Sequence, residues 1–320
     1  MSTAFTFPGQ GSQVVGMGKA LADAFPSAHA VFAEVDAALS QNLSALMWEG
    51  PEAELTLTAN AQPALMAVSM AVVAVLKAEH GITVAKSAKF VGGHSLGEYS
   101  ALAAAGTFSL SDTARLLRIR GKAMQTATPV GVGSMAAILG LDFADVAAVA
   151  KEAAQGDVCQ AANDNSSGQV VISGHKAAVD RACELAKARG AKRAILLPVS
   201  APFHCALMQP AADAMAEALM TVAMNAPAVP LIANVVAGPI SDPAEIRKRL
   251  VEQITGTVRW RECVGYMAGQ GVNLFCEVGT GRVLTGLLKK NAPEAQGLAI
   301  GIPDDIAAAA AILKQGKVDV

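Results

Sequence analysis

The stretch FVGGHSLGEYSALAAAG, residues 90–106, joins a short apolar run, a serine between glycines and an alanine-rich helical pattern. Residues 93–97 have the form GxSxG, which in a nucleophile elbow places the serine on a tight turn between a strand and a helix. Glycine is required on both sides because larger side chains would collide in that turn. We therefore predict a buried strand ending near Val91, an elbow at Ser95 and a helix beginning just after it.

The helix after Ser95 would point its positive N-terminal end at the serine hydroxyl. That position favours a nucleophile and the oxyanion that develops during acyl transfer. GxSxG also occurs by chance, so the motif alone leaves an ordinary glycine-rich turn as an equal alternative. Partner residues elsewhere in the chain must decide between the two interpretations.

The composition narrows the fold class and the partners. The 320 residues are 52% hydrophobic and 16% charged, which favours a well-buried α/β protein with one large domain, or a core domain that carries a smaller insert. A net charge of −2 gives no polyanion-binding signature, so we expect no nucleic-acid partner. The five cysteines are scattered without a CxxC pair, which favours a reducing, cytoplasmic compartment and neither a disulfide framework nor a thiolate metal site.

Membrane association is not expected from this sequence. The first residues, MSTAFTFPGQ, lack the charged and then apolar regions of a signal peptide. The most apolar segment, residues 64–76, is shorter than the about 20 apolar residues that a membrane span requires. We predict that it belongs to a buried core helix over 62–80, closed by Gly81.

Two segments on either side of the elbow raise chemical questions. Residues 4–7 predict a strand, and the PGQG turn after it either faces a ligand crevice or is an ordinary strand-to-helix turn, which the spacing favours. After the elbow, Ser111 is predicted to cap a helix that carries Arg120 on the same face as Leu116 and Met124. A guanidinium on an apolar face needs an anion, and an internal carboxylate is favoured over a ligand carboxylate.

Residues 129–199 differ from the rest of the chain and predict an inserted ferredoxin-like subdomain, with residues 1–128 and 200–320 forming the core. The predicted order is βαββαβ, in which two helices stack on a four-stranded antiparallel sheet. The predicted strands are MAAILG, VCQAAN, QVVIS and AILLPV, and the predicted helices are 143–154 and 177–189. Residues 163–168 are predicted to form the polar turn between the two middle strands.

His204 is the best general-base candidate, because it lies between a predicted strand and a predicted helix that begins near Ala206. A lone histidine is more often structural, so its context alone does not assign the role. The acid that would complete a triad is harder to place, because Asp180 and Glu184 both fall inside the insert. A backbone carbonyl could orient the imidazole instead.

Six motifs in chain order resemble the malonyl-CoA:acyl-carrier-protein transacylases. They span essentially the whole chain and are FPGQGSQ at 7–13, GHSLGEYSAL at 93–102, RGKAMQ at 120–125, NDNSSGQVVISG at 163–174, PFHC at 202–205 and EVGTGRVLTGL at 277–287. The resemblance implies an α/β fold in which an α/β-hydrolase-like core with a parallel sheet carries a ferredoxin-like insert. The insert inferred from the strand and helix pattern agrees with that architecture.

Matched position by position, the resemblance also implies roles for individual residues. Ser95 would be the nucleophile and His204 the base, while the main-chain N–H groups of Gln10 and Leu96 would form the oxyanion hole. Arg120 would pair with the free carboxylate of the substrate, which reverses the preference for an internal partner.

The resemblance further implies how the histidine is held and what surrounds the acyl group. Gln253 would hold the histidine through its main-chain carbonyl, in place of an acid. Asn165, Phe203, Met124 and His94 would line the acyl pocket. Phe203 matches a bulky residue that malonyl-selective members of the polyketide branch use against a methyl branch.

The implied reaction is a ping-pong transfer. Malonyl-CoA acylates the serine, and the phosphopantetheine thiol of holo acyl carrier protein takes the malonyl group, which supplies extender units for fatty acid biosynthesis. We expect no permanently bound cofactor and a cytoplasmic monomer. The alternatives are a trans-acting polyketide-type acyltransferase, a serine thioesterase or esterase, and a carrier-binding module without chemistry. Four basic residues form either a patch for an acidic carrier or a solvated helix end: Lys187, Arg189, Lys192 and Arg193.

Overall fold

The computed structural model describes residues 1–199 and 201–315, which form two sheets flanked by helices. The strands are β1 Thr3–Phe7, β2 Phe90–Gly93, β3 Gly133–Leu139, β4 Cys159–Ser166, β5 Gln169–His175, β6 Arg193–Leu196, β7 Leu231–Ala233, β8 Gly238–Ile240, β9 Leu274–Val278 and β10 Gln296–Ile300. The α-helices are α1 Lys19–Ala24, α2 Pro26–Leu39, α3 Leu43–Glu49, α4 Glu52–Thr56, α5 Thr58–His80, α6 Val84–Ser87, α7 Gly97–Ala104, α8 Leu110–Thr126, α9 Phe143–Ala154, α10 Lys176–Ala188, α11 Gln209–Met220, α12 Pro243–Thr255, α13 Trp260–Gly269, α14 Val283–Asn291 and α15 Pro303–Gln315; a 3-10 turn, Ala206–Met208, precedes α11.

The larger sheet has the strand order β10-β9-β1-β2-β7-β8. Its first five strands run parallel, and β8 returns antiparallel to β7. Every residue of β1 and β2 is buried, as expected for parallel strands that are covered on both faces. The apolar runs that predicted these strands are therefore explained by burial rather than by alternation.

The carboxyl ends of β1 and β2 lie side by side, because Phe7 pairs with Gly93 in a parallel register. The PGQG turn after β1 and the elbow after β2 therefore leave the sheet at the same edge. Open α/β sheets bind their ligands outside the carboxyl ends of the strands. Gln10 and Ser95 accordingly line one cleft at this edge.

Helix α5 lies in the core and begins at Thr58, earlier than the predicted start at Gln62. It is the one helix in the described part of the chain that is long and apolar enough to cross a membrane, but 78% of its apolar window is buried inside the protein. It packs against α2 and α8. This confirms the prediction of a buried core helix at this position.

The smaller sheet is antiparallel, with the order β4-β5-β3-β6, and α9 and α10 pack on it. Its apolar core includes Ile138, Val149 and Val179 and is separate from the core of the larger sheet. The two sheets confirm the predicted fold class. The division at 129–199 stays a prediction, and residue 200 and residues 316–320 lie outside the described part of the chain.

The predicted cap of α8 is wrong by two residues. The hydroxyl of Ser109 accepts the Asp112 N–H at 3.0 Å and caps the helix, whereas the Ser111 hydroxyl donates to Glu34. Ser109 also donates to the Asp112 carboxylate at 2.7 Å. A serine followed three positions later by an acidic residue satisfies both groups, which resembles a capping box.

The predicted polar turn at 163–168 is also too long. Residues 163–166 belong to β4, and the turn is confined to 167–168. Irregular pairing between β4 and β5 lets this polar segment stay in the sheet. The buried Asp164 carboxylate is held there by an ion pair of 2.8 Å with Arg261, and Asn165 is consequently presented by a strand rather than by a loop.

Candidate active site

The elbow at Ser95 has a strained backbone that explains the two glycines. Ser95 has φ +54°, in the left-handed region that side chains rarely adopt. A Cβ on Gly93 would lie 1.9 Å from the carbonyl carbon of Gly97, and a Cβ on Gly97 would lie 2.3 Å from the carbonyl oxygen of Phe7. Neither position can carry a side chain without moving the backbone, so GxSxG is a steric requirement here.

Asn234 holds the elbow from the end of β7. The Ser95 N–H donates to Asn234 Oδ1 at 2.9 Å, and Asn234 Nδ2 donates to the Gly93 carbonyl at 2.8 Å. Asn234 is fully buried, so these bonds are shielded from water. Sequence reasoning missed this residue; the one available signal is a polar residue directly after the apolar strand LIA.

His204 meets both Ser95 and Gln253. Its Nε2 lies 2.8 Å from the Ser95 hydroxyl oxygen, and its Nδ1 lies 2.8 Å from the main-chain carbonyl oxygen of Gln253. A carbonyl only accepts hydrogen bonds, so Nδ1 must carry the proton and Nε2 must be free to accept the serine proton. The structure therefore places a main-chain carbonyl where a triad would have its acid.

The environment of His204 keeps its imidazole neutral. Burial first, and then the positive charge of Arg120, lower the pKa of His204 to about 3. A neutral imidazole is the form that can take a proton from a serine hydroxyl. The site is therefore set for general-base chemistry without prior deprotonation.

Arg120 reaches the site from α8 and is buried. Its guanidinium donates to Gln62 Oε1 at 2.8 Å, to Gln253 Oε1 at 2.7 Å and to the Ser95 hydroxyl oxygen at 3.0 Å. No carboxylate in residues 1–199 and 201–315 forms an ion pair with it. The internal carboxylate that was favoured from the residues alone is thus replaced by neutral amide oxygens.

Gln10 and Leu96 lie where the oxyanion hole was expected. Leu96 directly precedes the first turn of α7, and Gln10 lies in the turn after β1. Within the described ranges, neither main-chain N–H donates to another main-chain group or side chain. The Gln10 side chain donates to Thr58 Oγ1 at 3.2 Å, which anchors the turn against α5. Both N–H groups stay available to an oxygen of a ligand in the cleft.

The cleft has a volume of about 520 Å³ and lies between the two sheets. Two of its lining residues are hydrogen-bonded to each other, since His94 Nε2 lies 2.8 Å from Asn165 Oδ1. Burial lowers the pKa of His94, so this ring is also neutral. The tenth expected residue, Gln253, bonds His204 and Arg120 without lining the cleft. The other nine expected residues line it: Gln10, His94, Ser95, Leu96, Arg120, Met124, Asn165, Phe203 and His204.

Two acids considered as triad members lie elsewhere. Asp180 and Glu184 project from α10 and pair with Lys176 at 2.7 Å and Lys187 at 2.8 Å, respectively. Glu184 is exposed and Asp180 is half-buried, and both lie on α10, which packs on the smaller sheet away from the cleft. No group of three or more His, Cys, Asp or Glu side chains in the described segments is placed to hold a metal ion.

Two further buried polar residues at the site were not predicted from the sequence. Gln62 is a polar residue within the apolar run of α5, and Glu98 follows the elbow on α7. Each is 1% exposed. A polar side chain inside an otherwise apolar helical run was the available signal, because burial of such a group requires a partner.

The chain is similar to known acyltransferases over almost its whole length. The acyl transferase domain family matches residues 4–303. The chain is 49% identical over 306 residues to the malonyl CoA-acyl carrier protein transacylase of Escherichia coli strain K12, covering 96% of this chain and 98% of that protein.

Solved structures show the same similarity. The acyl-carrier-protein-S-malonyltransferase of Bartonella henselae is 59% identical with a TM-score of 0.96, covering 98% of this chain and 100% of that one. A malonyl-transacylase in complex with its type II PKS acyl-carrier protein is 43% identical with a TM-score of 0.94, covering 98% and 100% of the two chains. The chain therefore belongs to the acyl transferase family and, within it, to the malonyl-CoA:acyl-carrier-protein transacylases.

Proposed function

We propose that this enzyme transfers a malonyl group from malonyl-CoA to the phosphopantetheine thiol of holo acyl carrier protein, through a malonyl ester on Ser95. The observation that carries the proposal is the 3.0 Å contact between the Arg120 guanidinium and the Ser95 hydroxyl oxygen. An acyl group on Ser95 that ends in a carboxylate would have a buried cation within reach. An acyl group without a carboxylate would leave that cation without an anionic partner.

Acylation begins with His204 as the base. Its Nε2 takes the Ser95 hydroxyl proton while the oxygen attacks the thioester carbonyl of malonyl-CoA. The Gln10 and Leu96 N–H groups stabilise the oxyanion of the tetrahedral intermediate. The carbon–sulfur bond then breaks, and the CoA sulfur leaves with the proton that His204 carried.

The second half-reaction uses the same groups in reverse. His204 takes the proton from the phosphopantetheine thiol, and the sulfur attacks the ester carbonyl of malonyl-Ser95. Collapse of the second tetrahedral intermediate breaks the ester bond and returns the proton to the Ser95 oxygen. The Gln253 carbonyl stabilises the imidazolium that forms in both halves, because it accepts from Nδ1 at 2.8 Å.

The carboxylate of the malonyl group is the feature that Arg120 would select. Gln62 and Gln253 present neutral amide oxygens to the guanidinium, and a carboxylate is a stronger acceptor than either. Two N–H groups of a planar guanidinium can donate in parallel to the two oxygens of a carboxylate. We assign the acyl pocket to His94, Asn165, Met124 and Phe203, which line the same cleft.

The acceptor and the setting of the reaction are part of the proposal. The relative solved with its acyl-carrier protein supports a carrier as partner. Lys192 and Arg193 would supply part of a basic docking patch, whereas Lys187 and Arg189 already pair with Glu184 and Glu152. We propose a cytoplasmic role in fatty acid biosynthesis, with no permanently bound cofactor. The same relative carries a PKS partner, which makes a polyketide-type transfer the second candidate.

Mixing the protein with malonyl-CoA in the absence of a carrier tests the proposal. Intact mass should show one malonyl group per chain, and added holo acyl carrier protein should remove it. Continuous release of free malonate without a carrier would favour a thioesterase or esterase. A chain that stays unacylated would favour a carrier-binding module without chemistry.

A further inference from the structure

Glu98 is a buried acid that no step of the proposed reaction uses. It lies in the first turn of α7, just beyond the elbow, and is 1% exposed. A carboxylate at such depth is destabilising unless its oxygens are paired with donors. Its partners therefore indicate what it does.

Both oxygens of Glu98 act as acceptors. Oε1 accepts the Asn234 main-chain N–H, and Oε2 accepts a hydrogen bond from Gln253 Nε2. Burial raises the pKa of Glu98 to about 8, while these two donors and the Arg120 charge oppose that shift. Because both oxygens accept from donors and neither faces an acceptor, the O–H of a protonated Glu98 would have no partner, so these contacts favour the ionised form against the raised pKa.

Gln253 connects Glu98 to both halves of the site. Its main-chain carbonyl accepts from His204 Nδ1, and its side-chain Oε1 accepts from Arg120 at 2.7 Å. Its Nε2 donates to Glu98 and, at 3.0 Å, to the Ser95 carbonyl oxygen. The amide can keep Oε1 toward the guanidinium only while Nε2 has its acceptors on the other side.

We propose that Glu98 is a positioning residue, which orients the Gln253 amide so that its oxygen faces Arg120 and keeps the guanidinium aligned for the free carboxylate of the acyl group. The inference rests on the proposed function, because it assigns Glu98 to acyl selection rather than to the attack on the thioester. Glu98 touches neither the Ser95 hydroxyl nor His204 in the described structure. Its hydrogen-bond route to Arg120 passes through Gln253, whereas its other partner, Asn234, contacts the elbow at Ser95.

Glu98→Gln tests this role with little change in shape. The new side chain has one acceptor and one NH₂ group, yet two donors converge on position 98. The Asn234 N–H belongs to the backbone and cannot reverse, whereas the Gln253 amide can rotate if it gives up its bond to the Ser95 carbonyl. The rotated amide would present N–H groups to Arg120 and would displace the guanidinium from its place beside Ser95.

The measurement is kcat/KM for malonyl-CoA and for acetyl-CoA in the wild type and the variant. Losing a hydrogen bond to a charged group should lower kcat/KM for malonyl-CoA about tenfold more than kcat/KM for acetyl-CoA. Equal proportional losses for the two substrates, or no loss for either, would overturn the proposal. Formation of malonyl-Ser95 by the wild type tests the proposed function separately, so the two failures are distinguishable.

Glu277→Gln is the matched control. Glu277 is also 1% exposed, and its carboxylate accepts the N–H groups of Leu284 and Thr285 at the start of α14, outside the cleft. This variant should lower the melting temperature without changing the malonyl-to-acetyl ratio. A similar change of ratio in Glu277→Gln would mean that the effect at Glu98 reflects general destabilisation, and would overturn the proposal.

Two further variants keep the test decisive. Glu98→Asp retains the charge but withdraws the carboxylate from Gln253, so it should shift the malonyl-to-acetyl ratio in the same direction. It replaces Glu98→Gln as the test if that variant does not fold. In a Gln253→Leu background, Glu98→Gln should produce no additional shift of the ratio, because the connecting amide is gone. Independent, additive shifts would show that Glu98 does not act through Gln253.

Discussion

The two ends of the cleft are built in different ways. The Ser95 end is made by local backbone geometry: two nearby glycines permit a left-handed serine at the end of β2. The Arg120 end is made by side chains from three distant helices, since Gln62 lies on α5, Arg120 on α8 and Gln253 on α12. The nucleophile is therefore specified by a short motif, and the acyl choice by long-range packing.

This difference separates generic chemistry from selectivity. Serine, histidine and an oxyanion hole can attack any thioester that reaches them. A buried cation beside the serine discriminates among acyl groups, because it leaves an uncharged acyl chain facing an unpaired guanidinium. Changes at the Ser95 end should affect all acyl groups alike, and changes at the Arg120 end should affect them unequally.

Removing the nucleophile should have the largest effect. Ser95→Ala should eliminate the acyl-enzyme and lower transfer of malonyl and acetyl groups alike by roughly 10⁴-fold or more. Intact mass after incubation with labelled malonyl-CoA measures the adduct. A stable adduct on another residue of the variant would contradict the assignment of Ser95.

Filling the elbow should cost stability. Gly93→Ala would place a Cβ 1.9 Å from the backbone of Gly97, so the free energy of unfolding should fall by about 3 kcal/mol. Denaturant titration measures this change. Gly265→Ala is the control, because a Cβ added to this glycine of α13 would have nothing within 4 Å. This variant should raise the free energy of unfolding by roughly 0.5–1 kcal/mol. Equal effects at the two sites would contradict the steric account.

The histidine should make the stability depend on pH. Its pKa falls from 6.5 in the unfolded chain to about 3 in the folded protein. Between these values the unfolded chain binds the extra proton, so the free energy of unfolding falls as the pH falls from 6.5 toward 3. The unfolding free energies of the wild type and His204→Gln, measured from pH 7 to 4, should differ in slope, with the wild type steeper. Parallel curves would mean that the imidazole is not kept neutral.

The sequence predicted the elbow and the fold class because their determinants are local. Gly93 and Gly97 lie within the motif, and the apolar runs of β1 and β2 are continuous. The position of Arg120 was also accessible, since helical spacing places it on the apolar face with Met124. Its partners could not be predicted, because the side-chain amides of Gln62 and Gln253, on other helices, take the place of the expected acid.

The residues that were not predicted have only a weak local signature, a polar side chain beside or within an apolar run, and the sequence does not show which partners they contact. Asn234 and Glu98 make their decisive contacts across more than a hundred positions of the chain, as the separation of 136 between them shows. The cap of α8 and the end of β4 were wrong for another reason. Two serines, Ser109 and Ser111, could cap the helix, and irregular pairing kept polar residues in the strand.

Competition between malonyl-CoA and acetyl-CoA in Arg120→Ala tests the central claim most directly. Arg118→Ala on the same helix is the control, since its guanidinium bonds Asn60 and Gln41 and does not line the cleft. We predict that Arg120→Ala lowers the malonyl-to-acetyl transfer ratio by about a hundredfold or more and retains acetyl transfer. Arg118→Ala should leave the ratio unchanged. Equal losses of malonyl and acetyl transfer in Arg120→Ala would contradict the account and make Arg120 a structural residue.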